Sequence, residues 1–138
     1  SYSSSNSGVT ILEILIVLAI IALISAVIGP RVTGYLGRAK SETAALQINQ
    51  IDIALQLFYI DMGRYPAETE GLDALVTAQP GSVGWAGPYL DKSDAITDPW
   101  GRAYIYAVTG ESEQPKVQTL GRDGVQGGVG EDKDIPQD

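Results

Sequence analysis

The chain has 138 residues and contains neither cysteine nor histidine, which excludes disulfide bonds and the usual ligands of zinc, haem and thiolate sites. Its formal net charge of −8 falls entirely in residues 61–138, because residues 1–60 hold three acidic and three basic side chains. An acidic domain of this kind repels nucleic acid, so we expect no nucleic-acid partner.

The chain begins with "SYSSSNSG", a small and polar segment that precedes a long apolar one. It has no basic residue and therefore lacks the charged start of a secretory signal peptide. We assign residues 1–8 to a leader remnant or a tag.

An apolar run from Val9 to Gly29 is interrupted only by Thr10, Glu13 and Ser25. As a helix it is about 30 Å long, which matches the hydrocarbon core of a bilayer. The run predicts one membrane-spanning helix over residues 9–30. Glu13 is unusual there, since a charged residue in hydrocarbon costs roughly 2.5 kcal/mol or more. It is either a carboxylate at the membrane interface or a functional group.

Pro30 removes one helical hydrogen bond, yet helical patterning resumes after it. We expect the helix to be continuous in the free subunit and extended or melted near Pro30 in an assembly, and to end at Gly63 and Pro66.

Two apolar stripes follow helical spacing. The first stripe contains Val32, Tyr35, Leu36, Ala39, Thr43, Leu46, Ile53, Leu57 and Ile60, and the second contains Ala44, Ile48, Ile51, Leu55 and Tyr59. Such a helix needs two partners, its own domain and a neighbouring subunit, unless its own domain wraps it completely.

The remainder of the chain is rich in turn signals, and "RAYIYAVT" alternates in the manner of a strand. We expect a small antiparallel sheet of two to four strands packed on the helix. The aromatic and proline residues of the turn motifs are expected in the core, with Asp98 accepting hydrogen bonds in the "DPWG" turn. They are Trp85, Pro88, Tyr89, Pro99, Trp100, Tyr104 and Tyr106.

The segment "LGRDGVQGGVGEDKD" combines five glycines with Asp123, Glu131, Asp132 and Asp134. Calcium takes six to eight oxygen ligands from carboxylates and carbonyls, but the spacing of an EF-hand is absent. Composition therefore leaves a solvated acidic loop and a calcium site as alternatives. Seven acidic and three basic residues lie in residues 111–138, so without a cation we expect the loop to be mobile.

The order "GVTILE", apolar run, proline and long amphipathic helix resembles the start of type IV pilin-like proteins. The later motifs "GRYP", "W.GPYL", "DPWG..Y.Y" and "LG.DG..GG.GED.DI" resemble the major pseudopilins of type II secretion systems. The resemblance implies an α+β pilin-like fold, in which a long N-terminal helix packs on a small antiparallel sheet with long loops. Residues 9–30 would form the transmembrane and filament-core helix, and residues 31–138 the extracytoplasmic globular domain.

The resemblance also implies functional residues at the N-terminus. Cleavage after Gly8 by a prepilin peptidase would free the α-amino group of Val9 for methylation, although the family usually has phenylalanine at that position. Glu13 would pair with the freed amino group of Val9 on the adjacent subunit. In a low-dielectric helix bundle such a pair sets the register of the filament.

For the acidic loop, the resemblance implies a Ca²⁺ site. Asp123 matches the best-defined carboxylate, backbone carbonyls come from around Leu120 and Val125, and Glu131 or Asp132 supplies the second carboxylate. Asp134 would cap or anchor the terminus.

By this resemblance the chain is a structural subunit that polymerises into a type II secretion pseudopilus and helps to export folded proteins across the outer membrane. The expected partners are further copies, minor pseudopilins, the inner-membrane secretion platform, the peptidase and inner-membrane lipid, with the globular domain in the periplasm. The alternatives are a surface type IV pilus subunit and a membrane-anchored calcium-binding module that does not polymerise. No sequence motif indicates an enzyme.

Overall fold

The longest element of the computed structural model is α1, which runs unbroken from Tyr2 to Met62. The strands are β1 (Ile105–Ala107) and β2 (Lys116–Gln118), and short 3₁₀ helices span Leu72–Leu75, Ser93–Ile96 and Gly130–Asp132. The structure describes the backbone of residues 2–91, 93–110 and 113–136, and the side chains of residues 10–91, 95–110 and 113–136. The chain divides into two units, Ser1–Leu36 and Gly37–Asp138, and α1 contributes to both.

Among the described residues, the first unit consists of helix alone. It begins at Tyr2, earlier than the apolar run, because adding residues to an existing helix costs far less than nucleating one. Pro30 lies inside the helix without interrupting it, as expected for the free subunit. The Thr33 hydroxyl donates to the Gly29 carbonyl over 3.1 Å, in the turn that follows the one that the proline weakens.

All the side chains from Thr10 to Leu36 are exposed within this unit. The helix is long and apolar enough, by length and composition, to be a candidate membrane span, with a mean hydropathy of 3.1 over its most apolar window. A helix that is apolar on every side is stable only when lipid or other protein surrounds it.

In the second unit, one face of α1 forms the core. The side chains of this buried face are at most 7% exposed and are spaced three or four residues apart, which places them on one side of a helix. They are Ala44, Ile48, Ile51, Leu55 and Phe58. The second apolar stripe is thereby confirmed, except that Phe58 is buried and Tyr59 is exposed.

The neighbouring face of α1 remains uncovered in the second unit. This exposed face consists of Leu46, Ile53, Leu57 and Ile60, whose exposed fractions lie between 47% and 74%. The alternative of a helix fully wrapped by its own domain is therefore wrong.

The helix ends where the sequence predicts. Gly63 has a φ of 73°, and its N–H donates to the Tyr59 carbonyl over 2.8 Å. This left-handed conformation closes the last turn, and glycine adopts it without strain.

Strands β1 and β2 pair antiparallel, with Tyr106 opposite Val117. An isolated antiparallel bridge joins Thr119, the residue after β2, to Ile135 near the end of the chain. Within the described residues the sheet has two strands, the lower limit of the predicted range, because the surrounding segments form glycine- and proline-rich turns.

Most of the predicted core aromatics pack on the helix. Tyr104 is buried, and its hydroxyl group hydrogen-bonds to the Gln47 side chain. Tyr106 donates to the Pro66 carbonyl over 2.5 Å. Burial raises the pKa of both tyrosines, so their hydroxyl groups remain donors at neutral pH. Trp100 instead directs its indole towards Glu131.

Asp98 accepts hydrogen bonds as predicted. Its Oδ1 accepts from the backbone N–H of Trp100 (3.0 Å) and of Arg102 (2.8 Å), and its Oδ2 accepts from the buried Thr119 hydroxyl (2.6 Å). The "DPWG" turn is thus tied to the end of β2, from which the glycine-rich loop begins.

Candidate functional site

The predicted assembly residues lie near the start of α1. Glu13 is exposed on the helix. Gly8 and Val9 belong to the same helix, and the Val9 side chain lies outside the described residues. The pairing of Glu13 with Val9 joins two subunits, so it stays a prediction.

The glycine-rich loop, residues 120–134, is the second candidate site. All five of its glycines have positive φ angles, between 61° and 102°, as the tight turning of the loop requires. At Gly128 a Cβ would lie 2.6 Å from the Asp132 carbonyl oxygen, and at Gly121 it would lie 2.7 Å from that of Lys133. The absence of a Cβ at Gly121 and Gly128 lets the first arm of the loop (residues 120–128) lie directly against the second arm (residues 129–134).

Arg122 links the first arm of the loop to the second. Its guanidinium donates from Nε and Nη2 to the two carboxylate oxygens of Asp132 over 2.9 and 3.0 Å, and from Nη1 to Glu131 over 3.2 Å. The hydrogen bonds that Arg122 donates to Asp132 raise the pKa of the guanidinium. Both predicted alternatives for the second calcium carboxylate therefore bind an arginine.

Glu131 also contacts the helix. Its Oε1 accepts from Trp100 Nε1 over 2.9 Å, and its Oε2 would lie 2.6 Å from a Cβ at Gly37. The absence of a side chain at Gly37 lets this carboxylate lie against α1.

A second arginine supports the loop through its backbone. Arg102 Nη1 donates to the Gly121 carbonyl over 2.9 Å, and both Nη atoms donate to the Arg122 carbonyl over 3.1 Å. The guanidinium passes so close to Gly124 that a Cβ there would lie 2.7 Å from its Cζ. Sequence reasoning missed both arginines, because nothing local indicates which groups they reach.

The remaining acidic residues cap turns of the loop. Asp123 Oδ1 accepts from the Val125 N–H over 3.1 Å, and Asp134 Oδ2 accepts from the Gly127 N–H over 3.0 Å. The other oxygen of Asp134, Oδ1, is buried and has no hydrogen-bond partner among the described residues. Leu120 is half-buried and Val125 is exposed. A buried carboxylate oxygen without a donor is a candidate cation ligand.

The described acidic side chains do not form a ready-made metal centre, because no three of them lie close enough together to hold an ion. Asp123 caps its own turn through the Val125 N–H, whereas Glu131 and Asp132 converge on Arg122. Any cation in the loop thus depends on backbone carbonyls as well as carboxylates.

A family model described as "Type II secretion system (T2SS), protein G" matches residues 31–138. The chain belongs to the type II secretion system protein G family. Within this family, it is 37% identical over 132 residues to the type II secretion system core protein G of Xanthomonas campestris, covering 96% of this chain and 90% of the relative. It is 35% identical over 134 residues to the protein of the same name from Pseudomonas aeruginosa, covering 94% and 93%.

The fold is also similar to that of a solved pseudopilin. The match is to the crystal structure of the major pseudopilin from the type 2 secretion system of enterohaemorrhagic Escherichia coli, at 25% identity and a TM-score of 0.57. It covers 75% of this chain and 90% of that one. The resemblance noted in the sequence and the predicted pilin-like fold are both confirmed.

Proposed function

We propose that this pseudopilin polymerises into the pseudopilus of a type II secretion system and helps to move folded proteins across the outer membrane. The observation that carries the proposal is the family match over residues 31–138. It favours a pseudopilus over a surface pilus. The proposal includes no catalytic role.

The apolar N-terminal half of α1 indicates that the subunit occupies two locations in succession, first the membrane and then the filament. Every side chain from Thr10 to Leu36 is exposed in its unit, so the helix requires an apolar environment on all sides. Before assembly, the bacterial inner membrane supplies that environment, with the globular unit in the periplasm. After assembly, the corresponding helices of neighbouring subunits supply it.

Glu13 sets the register of the filament in this proposal. After cleavage at Gly8, the free amino group of Val9 carries a positive charge close to the carboxylate of an adjacent subunit. Charges in a low-dielectric bundle interact strongly, and an unpaired one is costly. A subunit placed out of register leaves these charges unpaired, so it is less stable in the filament than a subunit placed in register.

The test is electron microscopy of pseudopili made from the chain beginning at Val9. We expect filaments from the parent and none from Glu13→Leu, although the variant still inserts into membranes. Ile14→Leu, which changes a neighbouring apolar side chain without altering charge, serves as the matched control. Normal filaments from Glu13→Leu would exclude the register role, and an absence of filaments from the parent would favour the non-polymerising anchor.

Pro30 is proposed to be the place where α1 loosens during assembly. The helix is one hydrogen bond short there, and Gly29 and Gly34 each weaken it by about 1 kcal/mol relative to alanine. A filament map should show extended or melted backbone near Pro30. Unbroken α-helix in the filament would contradict this.

The glycine-rich loop is proposed to bind calcium. Asp123 provides one carboxylate, and the carbonyls of Leu120 and Val125 provide backbone oxygens. Of the acidic residues that follow, Asp134 has the buried oxygen without a donor, whereas Glu131 and Asp132 bind Arg122. We therefore favour Asp134 as the second carboxylate. Bound calcium would supply the positive charge that these oxygens face.

Thermal unfolding of the full chain in detergent, with EDTA and then with excess calcium, tests this site. A ligand that binds only the folded state raises the melting temperature by mass action. We expect calcium to raise it, magnesium to raise it less, and Asp123→Ala to abolish the rise. An unchanged melting temperature in the parent would remove calcium from the proposed function and leave the filament role intact.

A further inference from the structure

The four carboxylate oxygens of Glu131 and Asp132 are all occupied by N–H donors. Arg122 supplies three of these donors and Trp100 supplies the fourth. Hydrogen bonds between charged groups are roughly twice as strong as neutral ones, and the Arg122–Asp132 pair has two in parallel. A cation that used these oxygens would have to displace the guanidinium or repel it.

Arg122 is itself held in position. Its carbonyl accepts two hydrogen bonds from Arg102, and its N–H donates to the Glu131 carbonyl over 3.0 Å. Arg102 is in turn tied to Asp98 through its backbone N–H. The guanidinium of Arg122 thus extends from a fixed backbone towards the second arm of the loop.

We propose that Arg122 is a built-in counter-ion of the glycine-rich loop, which orders Glu131 and Asp132 without metal and withholds them from a divalent cation. The inference rests on the proposed role of the loop as a calcium site. It makes Arg122 a positioning residue that sets how many carboxylates a cation can use. The affinity of an oxygen site for calcium rises with the number of charged ligands, so Arg122 keeps that affinity low.

Arg122→Ala distinguishes this role from a merely structural one, because it has two effects of opposite sign. In EDTA, Glu131 and Asp132 repel each other without their counter-ion, so the melting temperature falls below that of the parent. With calcium, the two freed carboxylates become ligands, so the calcium-induced rise becomes larger. A residue that only stabilised the loop would lower the melting temperature without enlarging that rise.

The experiment measures melting temperature and calcium affinity by calorimetry, on the full chain in detergent. We expect calcium to bind Arg122→Ala about tenfold more tightly than the parent. Arg64→Ala is the matched control, since it breaks another arginine–carboxylate pair, with Glu70, outside the loop. It should lower the melting temperature and leave calcium affinity unchanged.

Asp132→Asn provides a second test that does not depend on the arginine variant folding. Because Arg122 withholds Asp132 from the cation, this variant should lower the melting temperature in EDTA and keep the parent's calcium-induced rise. Loss of that rise in Asp132→Asn, or a rise in Arg122→Ala no larger than the parent's, would overturn the inference. If the parent shows no calcium effect, the calcium proposal fails, and calcium binding that appears only in Arg122→Ala supports the counter-ion role.

Discussion

The two apolar faces of α1 between Gly37 and Met62 have similar compositions and opposite environments. The buried face, which includes Ile51 and Phe58, is almost completely shielded from solvent, whereas the exposed face, which includes Ile53 and Leu57, is uncovered. Burying apolar surface contributes about 25 cal/mol per Å², so the exposed face represents stabilisation that the isolated subunit does not obtain. The comparison indicates that one helix serves both folding and assembly.

The largest expected difference between the faces is in folding stability. Phe58→Ala should lower the free energy of unfolding by about 3–5 kcal/mol, because it leaves a cavity in the core. Leu57→Ala, one residue away on the exposed face, should change it by about 0.5 kcal/mol or less. Denaturant unfolding of both variants in detergent checks this, and equal losses would break the distinction between the faces.

For filament assembly, we expect substitutions on the exposed face to have the larger effect. Leu57→Lys places a charge on the exposed face, so we expect it to reduce filament formation while the melting temperature of the subunit stays near that of the parent. Filaments are counted by electron microscopy. The control is Leu57→Gln, which removes the same apolar side chain without adding charge. Filaments at the parent's level in Leu57→Gln would mean that charge, not loss of apolar surface, prevents assembly.

Alanine substitutions at two glycines of α1, Gly34 and Gly37, are expected to have a smaller effect on stability. Alanine at Gly37 would force the Glu131 carboxylate away from the helix, against its bonds to Trp100 and Arg122. Alanine at Gly34 would meet nothing within 4 Å. Both substitutions gain the same preference of alanine for the helix, so the difference between the two variants measures the contact. We expect Gly37→Ala to melt several degrees below Gly34→Ala, as about 1 kcal/mol does in a small domain. Equal melting temperatures in the two variants would contradict the contact.

The smallest effect concerns a surface ion pair just beyond the C-terminal end of α1. Arg64 Nη1 donates to Glu70 over 2.6 Å, and this hydrogen bond lowers the pKa of the Glu70 carboxyl below its ordinary value of 4.5. A lowered carboxyl pKa stabilises the fold above pH 4.5, and this contribution is lost as the pH falls through the folded-state pKa. Glu70→Gln should therefore cost about 0.2–1 kcal/mol at pH 7 and progressively less as the pH falls through the folded-state pKa of Glu70. Melting curves at pH 7 and at a series of lower pH values test this, and a difference that does not shrink in acid would exclude the ion pair as its cause.

The acidic loop shows what a count of charges leaves out. Seven acidic and three basic residues in the tail predict repulsion and a mobile loop. In the structure Arg122 lies on two of those carboxylates, and Arg102, from the preceding turn, holds the carbonyls beside them. Net charge describes a segment, but stability depends on which charges are neighbours.

Local patterns in the sequence determined the helix, its two apolar stripes, its end at Gly63 and the positive φ angles of the loop glycines, because each depends on residues within a few positions of one another. The motifs likewise determined the family. Only the tertiary structure decided that the second stripe, not the first, is buried, that Glu131 lies against Gly37, and that Asp134 keeps an oxygen without a donor among the described residues. These outcomes depend on groups that are distant along the chain and meet only when it folds, and no local spacing encodes such meetings.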